Sequence, residues 1–177
     1  MLESYKKHED FIKSFWQTRT PEVDDLSAMY LGLAEEIGEF QEEYALESQH
    51  NPHHKDELKS ELSDILFYIT GILIELSKRE YNLTASSIML KDISIPITDT
   101  TDTYVSCLYK RVFKLLSMYN KSIRKRVKMD EELLSQNIRD IYACVEGITD
   151  LALADVLDYN VEKLSGRDIS GQNGTVA

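Results

Sequence analysis

The sequence predicts an all-α protein built as an antiparallel helical bundle, and three observations lead to that prediction. Apolar residues recur at helical spacing along most of the chain. The 177 residues include only seven Gly and three Pro, fewer than the turns of an all-β protein would require. No two segments show the alternating pattern of paired strands. A chain of this length forms one domain, or two small helical units that share a core.

The first two long helices are expected to form a hairpin. Thr20-Pro21 provides an N-cap followed by proline at the first helical position. The helix that follows has an apolar stripe over residues 26–44, and a second stripe spans 58–76. The short connection around residues 50–54 makes these two helices antiparallel neighbours.

The remainder of the chain is predicted to contain further helices separated by a linker. Proline and clustered Ser, Thr and Asp mark the linker, and the glycine-containing C-terminal tail is expected to be mobile. The predicted segments are a short helix over 84–91, the linker 92–103, a helix over about 102–126, a helix capped by Asp130 and ending near 151, a short helix ending near 164, and the tail 165–177.

The two halves share a pattern that predicts two related hairpin units, at 1–91 and 104–164. Shifted by 75 or 76 residues, the apolar positions of the halves agree, whereas the acidic positions other than Asp64 become basic or neutral. We interpret the pattern as a weak internal duplication, although any two helical hairpins share a similar stripe. The aligned pairs are Glu35 with Lys110, Glu36 with Arg111, Glu39 with Lys114, Glu61 with Asn137, and Asp64 with Asp140.

Charge is distributed unevenly along the chain. The net charge of −11 argues against a general nucleic-acid-binding surface. Residues 22–64 hold thirteen acids and two bases, whereas residues 104–128 hold eight bases and no acid. This polarity suits a site at which metal cations meet one half of the chain and phosphates meet the other.

Nothing in the sequence predicts export or membrane insertion. Residues 1–15 carry six charged side chains where a signal peptide would be apolar, and no run approaches the roughly 18 apolar residues of a membrane span. Cys107 and Cys144 lie in apolar stretches without metal-ligand spacing, so we expect buried thiols, with a disulfide as the alternative. A cytoplasmic protein is therefore expected.

Four carboxylates are predicted to meet beside the apolar stripes of the first hairpin. At about 100° per residue, Glu36 and Glu39 share one edge of the first helix, and Glu61 and Asp64 share a comparable edge of the second. Such a cluster costs several kcal/mol without a cation. Oxygen ligands favour Mg²⁺ or Mn²⁺ over zinc. A merely solvated acidic face is the alternative, and it is weakened because these acids flank the apolar stripe.

At these residues the chain resembles the MazG-type all-α nucleotide pyrophosphohydrolases. Residues 33–40 and 60–68 have the family's EExxE and ExxD pattern, and residues 156–164, followed by Arg167, look like its closing NxxK helix. The resemblance implies metal ligation by Glu36, Glu39, Glu61 and Asp64, and substrate contacts from Asn160 and Lys163.

The chain departs from the simple family pattern in the long spacing between Asp64 and Asn160. The extra length is similar to the duplicated units of the dimeric dUTPase branch, in which one chain does the work of a pair. This likeness implies that Arg111 and Lys114 meet the triphosphate, that dUTP or dCTP is the substrate, and that the protein is a homodimer. The phosphoribosyl-ATP pyrophosphohydrolases, which are short single units, are a weaker match.

The resulting hypothesis is Mg²⁺-dependent hydrolysis of a nucleoside triphosphate to a monophosphate and pyrophosphate. Glu35 or Glu43 would take the proton from the attacking water. Trp16 could stack on the base and Tyr68 could bound the sugar pocket, although both also suit half-buried packing positions. The alternative is a non-catalytic helical module that binds a partner protein, for which Glu61 would be dispensable.

Overall fold

The computed structural model describes residues 2–16, 24–46, 54–79, 81–83, 88 and 100–166. Within these residues the chain is helical and contains no strand, so the all-α prediction is confirmed. The tail from 167 onwards lies outside the described residues, as does the helix over 84–91 except for Ile88. The predicted linker 92–103 lies outside them up to residue 99, but its last three residues belong to a helix that begins at Thr101. Thr20-Pro21 also lies outside them, but the helix that it was predicted to start begins at Asp25, and the side chain of Asp24 accepts a hydrogen bond from the Ser27 amide over 3.1 Å. The helices are α1 (Leu2–Trp16), α2 (Asp25–Leu46), α3 (His54–Ser77), α4 (Thr101–Lys125), α5 (Glu131–Thr149) and α6 (Leu153–Ser165).

Helix α3 lies at the centre of the bundle. It packs along α2 and also contacts α1, α5 and α6, while α4 packs mainly along α5. The apolar stripe of α3 is buried: Leu62, Ile65, Leu66, Ile69 and Ile72 are all inaccessible to solvent. Burial of this stripe from several sides holds α1 and α6 against the helix that carries Glu61 and Asp64.

Close contacts between helices show that α2 and α3 are antiparallel, as are α4 and α5. The side chain of Met29 lies over Gly71, and the ring of Tyr68 lies over Gly32, so that a Cβ on either glycine would overlap its neighbour. In the second hairpin the ring of Tyr104 lies over Gly147 in the same way. In the shifted alignment Met29 matches Tyr104 and Gly71 matches Gly147, so the contact recurs at corresponding positions.

The buried positions of the two hairpins also correspond. The apolar stripes predicted from the sequence are buried in all four helices, as the sequence analysis expected. A common origin of the hairpins stays a prediction, but the matching burial is what a duplication would leave. The matched pairs are Leu33 with Leu108, Ile37 with Val112, Phe40 with Leu115, Leu58 with Leu134, Leu62 with Ile138, Ile65 with Ile141, and Ile69 with Val145.

Helix α1 is an element that the sequence analysis did not predict. Many of its fifteen residues are charged, and its buried stripe is narrow, formed by Tyr5, His8 and Ile12. The helical pattern of this segment is therefore hard to recognise in the sequence. Phe15 packs edge-on against Phe67 of α3, with ring centroids 5.8 Å apart. This stripe places a histidine inside the bundle, next to the residues that approach Asp64.

Several smaller predictions can be compared with the structure. Asp130 caps α5, as predicted, because its side chain accepts a hydrogen bond from the Leu133 amide over 3.0 Å. Cys107 and Cys144 are free thiols, half-buried and buried respectively. In the part of the chain that the structure describes, no helix has both the length and the apolar character needed to cross a membrane.

Two glycines of α2 should respond oppositely to replacement by alanine. In Gly32→Ala the new methyl group overlaps the Tyr68 ring, and overpacking of this kind costs about 1–3 kcal/mol. In Gly38→Ala the methyl group meets nothing within 4 Å, and alanine is about 1 kcal/mol better than glycine inside a helix. Thermal unfolding in chelator should give a lower midpoint for the first variant and a higher one for the second. Equal midpoints would contradict the close approach of Tyr68 to α2.

Candidate metal centre

Three carboxylates from two helices converge at the margin of the α2–α3 interface. Oxygens of Glu36 and Glu39 on α2 and of Glu61 on α3 all lie within 4.8 Å of one another. Glu36 and Glu61 are half-buried and Glu39 is exposed. The half-buried positions of Glu36 and Glu61 follow from the helical register, since these residues immediately precede the buried Ile37 and Leu62. The sequence prediction that these acids meet is consistent with this geometry.

The environment of the cluster disfavours negative charge. Burial, followed by the charges of Asp64, Glu39 and Glu61, raises the pKa of Glu36 to about 8, with Lys163 acting in the opposite direction. Burial and the charge of Asp64 also raise the pKa of Glu61, again against the influence of Lys163. Without a cation, Glu36 therefore holds a proton at neutral pH, because the cluster repels further negative charge.

Asp64 is the fourth predicted ligand, and its carboxylate is already bound within the protein. Its Oδ1 accepts a hydrogen bond from Asn160 Nδ2 over 3.0 Å, and its Oδ2 forms an ion pair with Lys163. Asp64 is not among the three residues whose oxygens converge within 4.8 Å. Each carboxylate oxygen has a further lone pair, so these bonds leave Asp64 able to accept from a cation.

Lys163 uses all three of its ammonium hydrogens inside the protein. In addition to its ion pair with Asp64, it donates to Ser60 Oγ over 2.7 Å and to the Ser60 carbonyl oxygen over 3.3 Å. Its side chain is only 12% exposed. The substrate contact that the resemblance implies for Lys163 therefore requires it to exchange one of these partners for a phosphate oxygen.

Asn160 is fully buried behind Asp64. Its amide nitrogen donates to Ser63 Oγ over 3.2 Å as well as to Asp64, and its oxygen lies 3.0 Å from Nε2 of His8. The other ring nitrogen of His8 lies 3.2 Å from Thr70 Oγ1. The implied substrate contact of Asn160 stays a prediction, since the structure directs its side chain at a candidate metal ligand.

Sequence reasoning missed His8. The signal was its spacing, because His8 stands three residues after Tyr5 and four before Ile12, in line with the buried stripe of α1. Burial lowers the pKa of His8 to about 4, so the imidazole is neutral at neutral pH. A neutral buried histidine with both nitrogens bonded is a fixed connector between helices.

The predicted aromatic contacts have packing partners in the structure. Trp16 is half-buried against the core and donates from Nε1 to Asp25 Oδ1 over 3.0 Å. Tyr68 is half-buried and meets Phe67 edge-on, with ring centroids 5.3 Å apart. Both side chains lie in half-buried packing positions, and the contacts of Trp16 with a base and of Tyr68 with a sugar stay predictions.

The two candidate proton acceptors differ in their position relative to the cluster. Glu35 is exposed, in keeping with the expectation that it points away. Glu43 is half-buried, and its charge is one of those that raise the pKa of Glu61. Glu43 is therefore the better placed of the two.

In the second hairpin the aligned positions carry opposite charges, whereas in the first hairpin both are acidic. Arg111 and Asp140, which align with Glu36 and Asp64, form an ion pair with Nη2 and Oδ2 2.8 Å apart. The Asp140 side chain is completely buried, and its Oδ1 also accepts from Gln136 over 3.0 Å. Lys114 is exposed. Arg111 thus has a partner inside its own hairpin, and the contacts of Arg111 and Lys114 with a triphosphate stay predictions.

The donor atoms of the first hairpin fit a hard divalent cation. All the converging groups are carboxylates, which Mg²⁺ and Mn²⁺ prefer over the nitrogen and sulfur ligands typical of zinc. The repulsion that raises the pKa values of Glu36 and Glu61 is also what a divalent cation would relieve.

Comparisons of the chain with models of known protein families, with curated proteins and with solved structures find no match. The motif residues and the geometry around them are therefore the basis for any functional assignment.

Removing the charge of Glu36 should stabilise the cation-free protein, and the effect should grow with pH. Because its pKa is about 8 in the folded protein and 4.5 in an unperturbed glutamate, the stability linked to its proton is present below pH 4.5 and lost as the pH rises through 8. In excess chelator, the thermal midpoint of Glu36→Gln should match wild type near pH 4.5 and exceed it by several degrees at pH 8.5.

Glu42→Gln provides the matched control, since Glu42 is an exposed acid on the same helix. The difference between its thermal midpoint and that of wild type should change little between pH 4.5 and pH 8.5. A midpoint for Glu36→Gln below that of wild type at pH 8.5 would mean that Glu36 stabilises the fold as a charged partner, contrary to the repulsion described above.

Proposed function

We propose that the protein is a Mg²⁺-dependent pyrophosphohydrolase that converts nucleoside triphosphates to monophosphates and pyrophosphate. The observation that carries the proposal is the convergence of Glu36, Glu39 and Glu61, whose oxygens lie within 4.8 Å of one another. Their motif spacing, which resembles that of the MazG-type enzymes, supplies the reaction class. The likeness to the dimeric dUTPase branch adds dUTP or dCTP as the proposed substrate and a homodimer as the proposed assembly.

The four acids of the first hairpin would hold the cation: Glu36, Glu39, Glu61 and Asp64. When bound, Mg²⁺ or Mn²⁺ supplies positive charge for the phosphate oxygens and acidity for the attacking water. Ligation requires the carboxylate form, so Glu36 must release the proton that it holds at neutral pH. Cation affinity should therefore rise with pH across the neutral range.

The remaining steps belong to side chains around the cluster. Glu43, half-buried and close enough to raise the pKa of Glu61, takes the proton from the attacking water. Lys163 is ion-paired with Asp64, and it stabilises the leaving pyrophosphate once Asp64 is neutralised by another charge. Both roles use groups that already lie at the margin of the α2–α3 interface.

A panel of nucleoside triphosphates with Mg²⁺ tests the proposal. Pyrophosphate, and not inorganic phosphate, should be released from at least one of them, and excess chelator should abolish the release. Glu61→Gln should lower turnover at least about a hundredfold, as is typical when a charge-stabilising group is lost, whereas Glu42→Gln should turn over normally. No turnover of any triphosphate, or wild-type turnover by Glu61→Gln, would favour the non-catalytic interaction module.

Alanine variants of the second hairpin distinguish basic side chains that stabilise the fold from basic side chains that bind the substrate. Arg111→Ala leaves the buried Asp140 without its counter-charge, which should cost about 3–5 kcal/mol of folding stability. Lys114→Ala should keep the wild-type melting curve, because Lys114 is exposed, and should lower kcat/KM by one to two orders of magnitude. Lys110→Ala is the matched control, being exposed on the same helix. Wild-type kinetics in both Arg111→Ala and Lys114→Ala would remove the second hairpin from the site.

A further inference from the structure

A buried histidine connects the candidate metal centre to the core, and the reaction proposed above does not use it. His8 is fully buried on α1. It contacts Thr70 on α3 through one ring nitrogen and Asn160 on α6 through the other. Asn160 in turn contacts Asp64. A continuous chain of hydrogen bonds therefore joins three helices and ends at a candidate ligand: the two bonds of His8 are buried, and the bond from Asn160 to Asp64 is part-buried.

The direction of each hydrogen bond in this chain follows from the chemistry of its members. An ionised Asp64 can only accept, so Asn160 must present its amide nitrogen to it. The amide oxygen of Asn160 then faces His8, whose Nε2 must carry the hydrogen and donate it over 3.0 Å. In a neutral imidazole the other nitrogen is an acceptor, so Nδ1 of His8 accepts from the Thr70 hydroxyl over 3.2 Å.

We propose that His8 is a positioning residue for cation binding, because its Nε2–H fixes the Asn160 carboxamide in the orientation that holds Asp64. The inference rests on the proposed metal centre and adds a residue that does not touch the cation. A carboxamide has two orientations related by a half turn, and the reversed one would set the Asn160 oxygen against the Asp64 carboxylate. With its hydrogen on Nε2, His8 opposes the reversal, because this N–H can bond to the Asn160 oxygen and not to its amide nitrogen.

The expected size of the effect follows from the behaviour of outer-shell groups in metal sites. Loss of a side chain that orients a ligand typically costs about 10–100-fold in metal affinity or activity. His8 contacts Asn160 and not the candidate ligand itself, so a loss of about tenfold, the low end of that range, is expected. A histidine that only filled space in the core would change thermal stability and leave cation affinity unaltered.

Two amide variants distinguish the roles of the two ring nitrogens of His8. In His8→Gln the amide nitrogen lies the same number of bonds from Cα as Nε2 does, so it can still donate to Asn160. In His8→Asn the amide lies where Nδ1 does, so it retains the Thr70 contact and loses Asn160. Both variants are neutral and polar, and both lack the ring. Ser135→Ala serves as a control, because it removes another buried hydrogen bond, to Arg139 on α5.

Calorimetric titration with Mn²⁺ alone, beside melting curves, gives the test. His8→Asn should bind Mn²⁺ about tenfold more weakly than wild type, and His8→Gln and Ser135→Ala should stay within about threefold of it. Turnover with Mg²⁺ should follow the same order. Equal affinities in His8→Asn and His8→Gln, or wild-type affinity in His8→Asn, would overturn the inference.

A measurement on the wild-type protein covers the case in which the variants fail to fold. The ¹⁵N spectrum of the metal-free protein should show His8 as the Nε2–H tautomer, and an Nδ1–H tautomer would overturn the inference. Mn²⁺ binding without pyrophosphate release from any triphosphate would remove the proposed function and leave the role of His8 standing. Failure of the wild type to bind Mn²⁺ would overturn both.

Discussion

The ion pair between Asp64 and Lys163 is the interaction on which the candidate site depends. It joins α6 to α3, and it places one positive charge beside acids that otherwise repel one another. Asn160 and Ser60 surround the pair with further hydrogen bonds. Because a single lysine cannot neutralise four carboxylates, the raised pKa of Glu36 persists. The same residual charge that destabilises the cation-free protein is what a divalent cation would bind.

The two hairpins have matching buried positions but different charges at the aligned polar positions. Each brings an acid on its second helix against a residue on its first, and the flanking apolar positions are buried in both. In the second hairpin, the guanidinium of Arg111 forms an ion pair with the buried Asp140. In the first, Glu36 stands at the aligned position, where burial and the charge of Asp64 raise its pKa. The proposed cation site therefore belongs to the first hairpin.

Helical periodicity predicted the fold and part of the site, because both depend on local register. The stripes of α2 to α5 and the convergence of Glu36, Glu39 and Glu61 follow from rotation by about 100° per residue. The role of His8 could not be predicted in this way, since its partners are 62 and 152 residues away along the chain. Likewise, the alignment matched Arg111 with Glu36 and Asp140 with Asp64, but the direction of a long side chain depends on which partner is buried beside it.

The most direct test of the account is the effect of Mg²⁺ on the melting of the metal-free protein. A cation that binds only the folded state raises its thermal midpoint progressively with concentration. The midpoint of wild type should therefore rise as Mg²⁺ is added, and that of Glu61→Gln should respond far less. An unchanged wild-type midpoint at high Mg²⁺, or an equal rise in Glu61→Gln, would contradict a cation site at these acids.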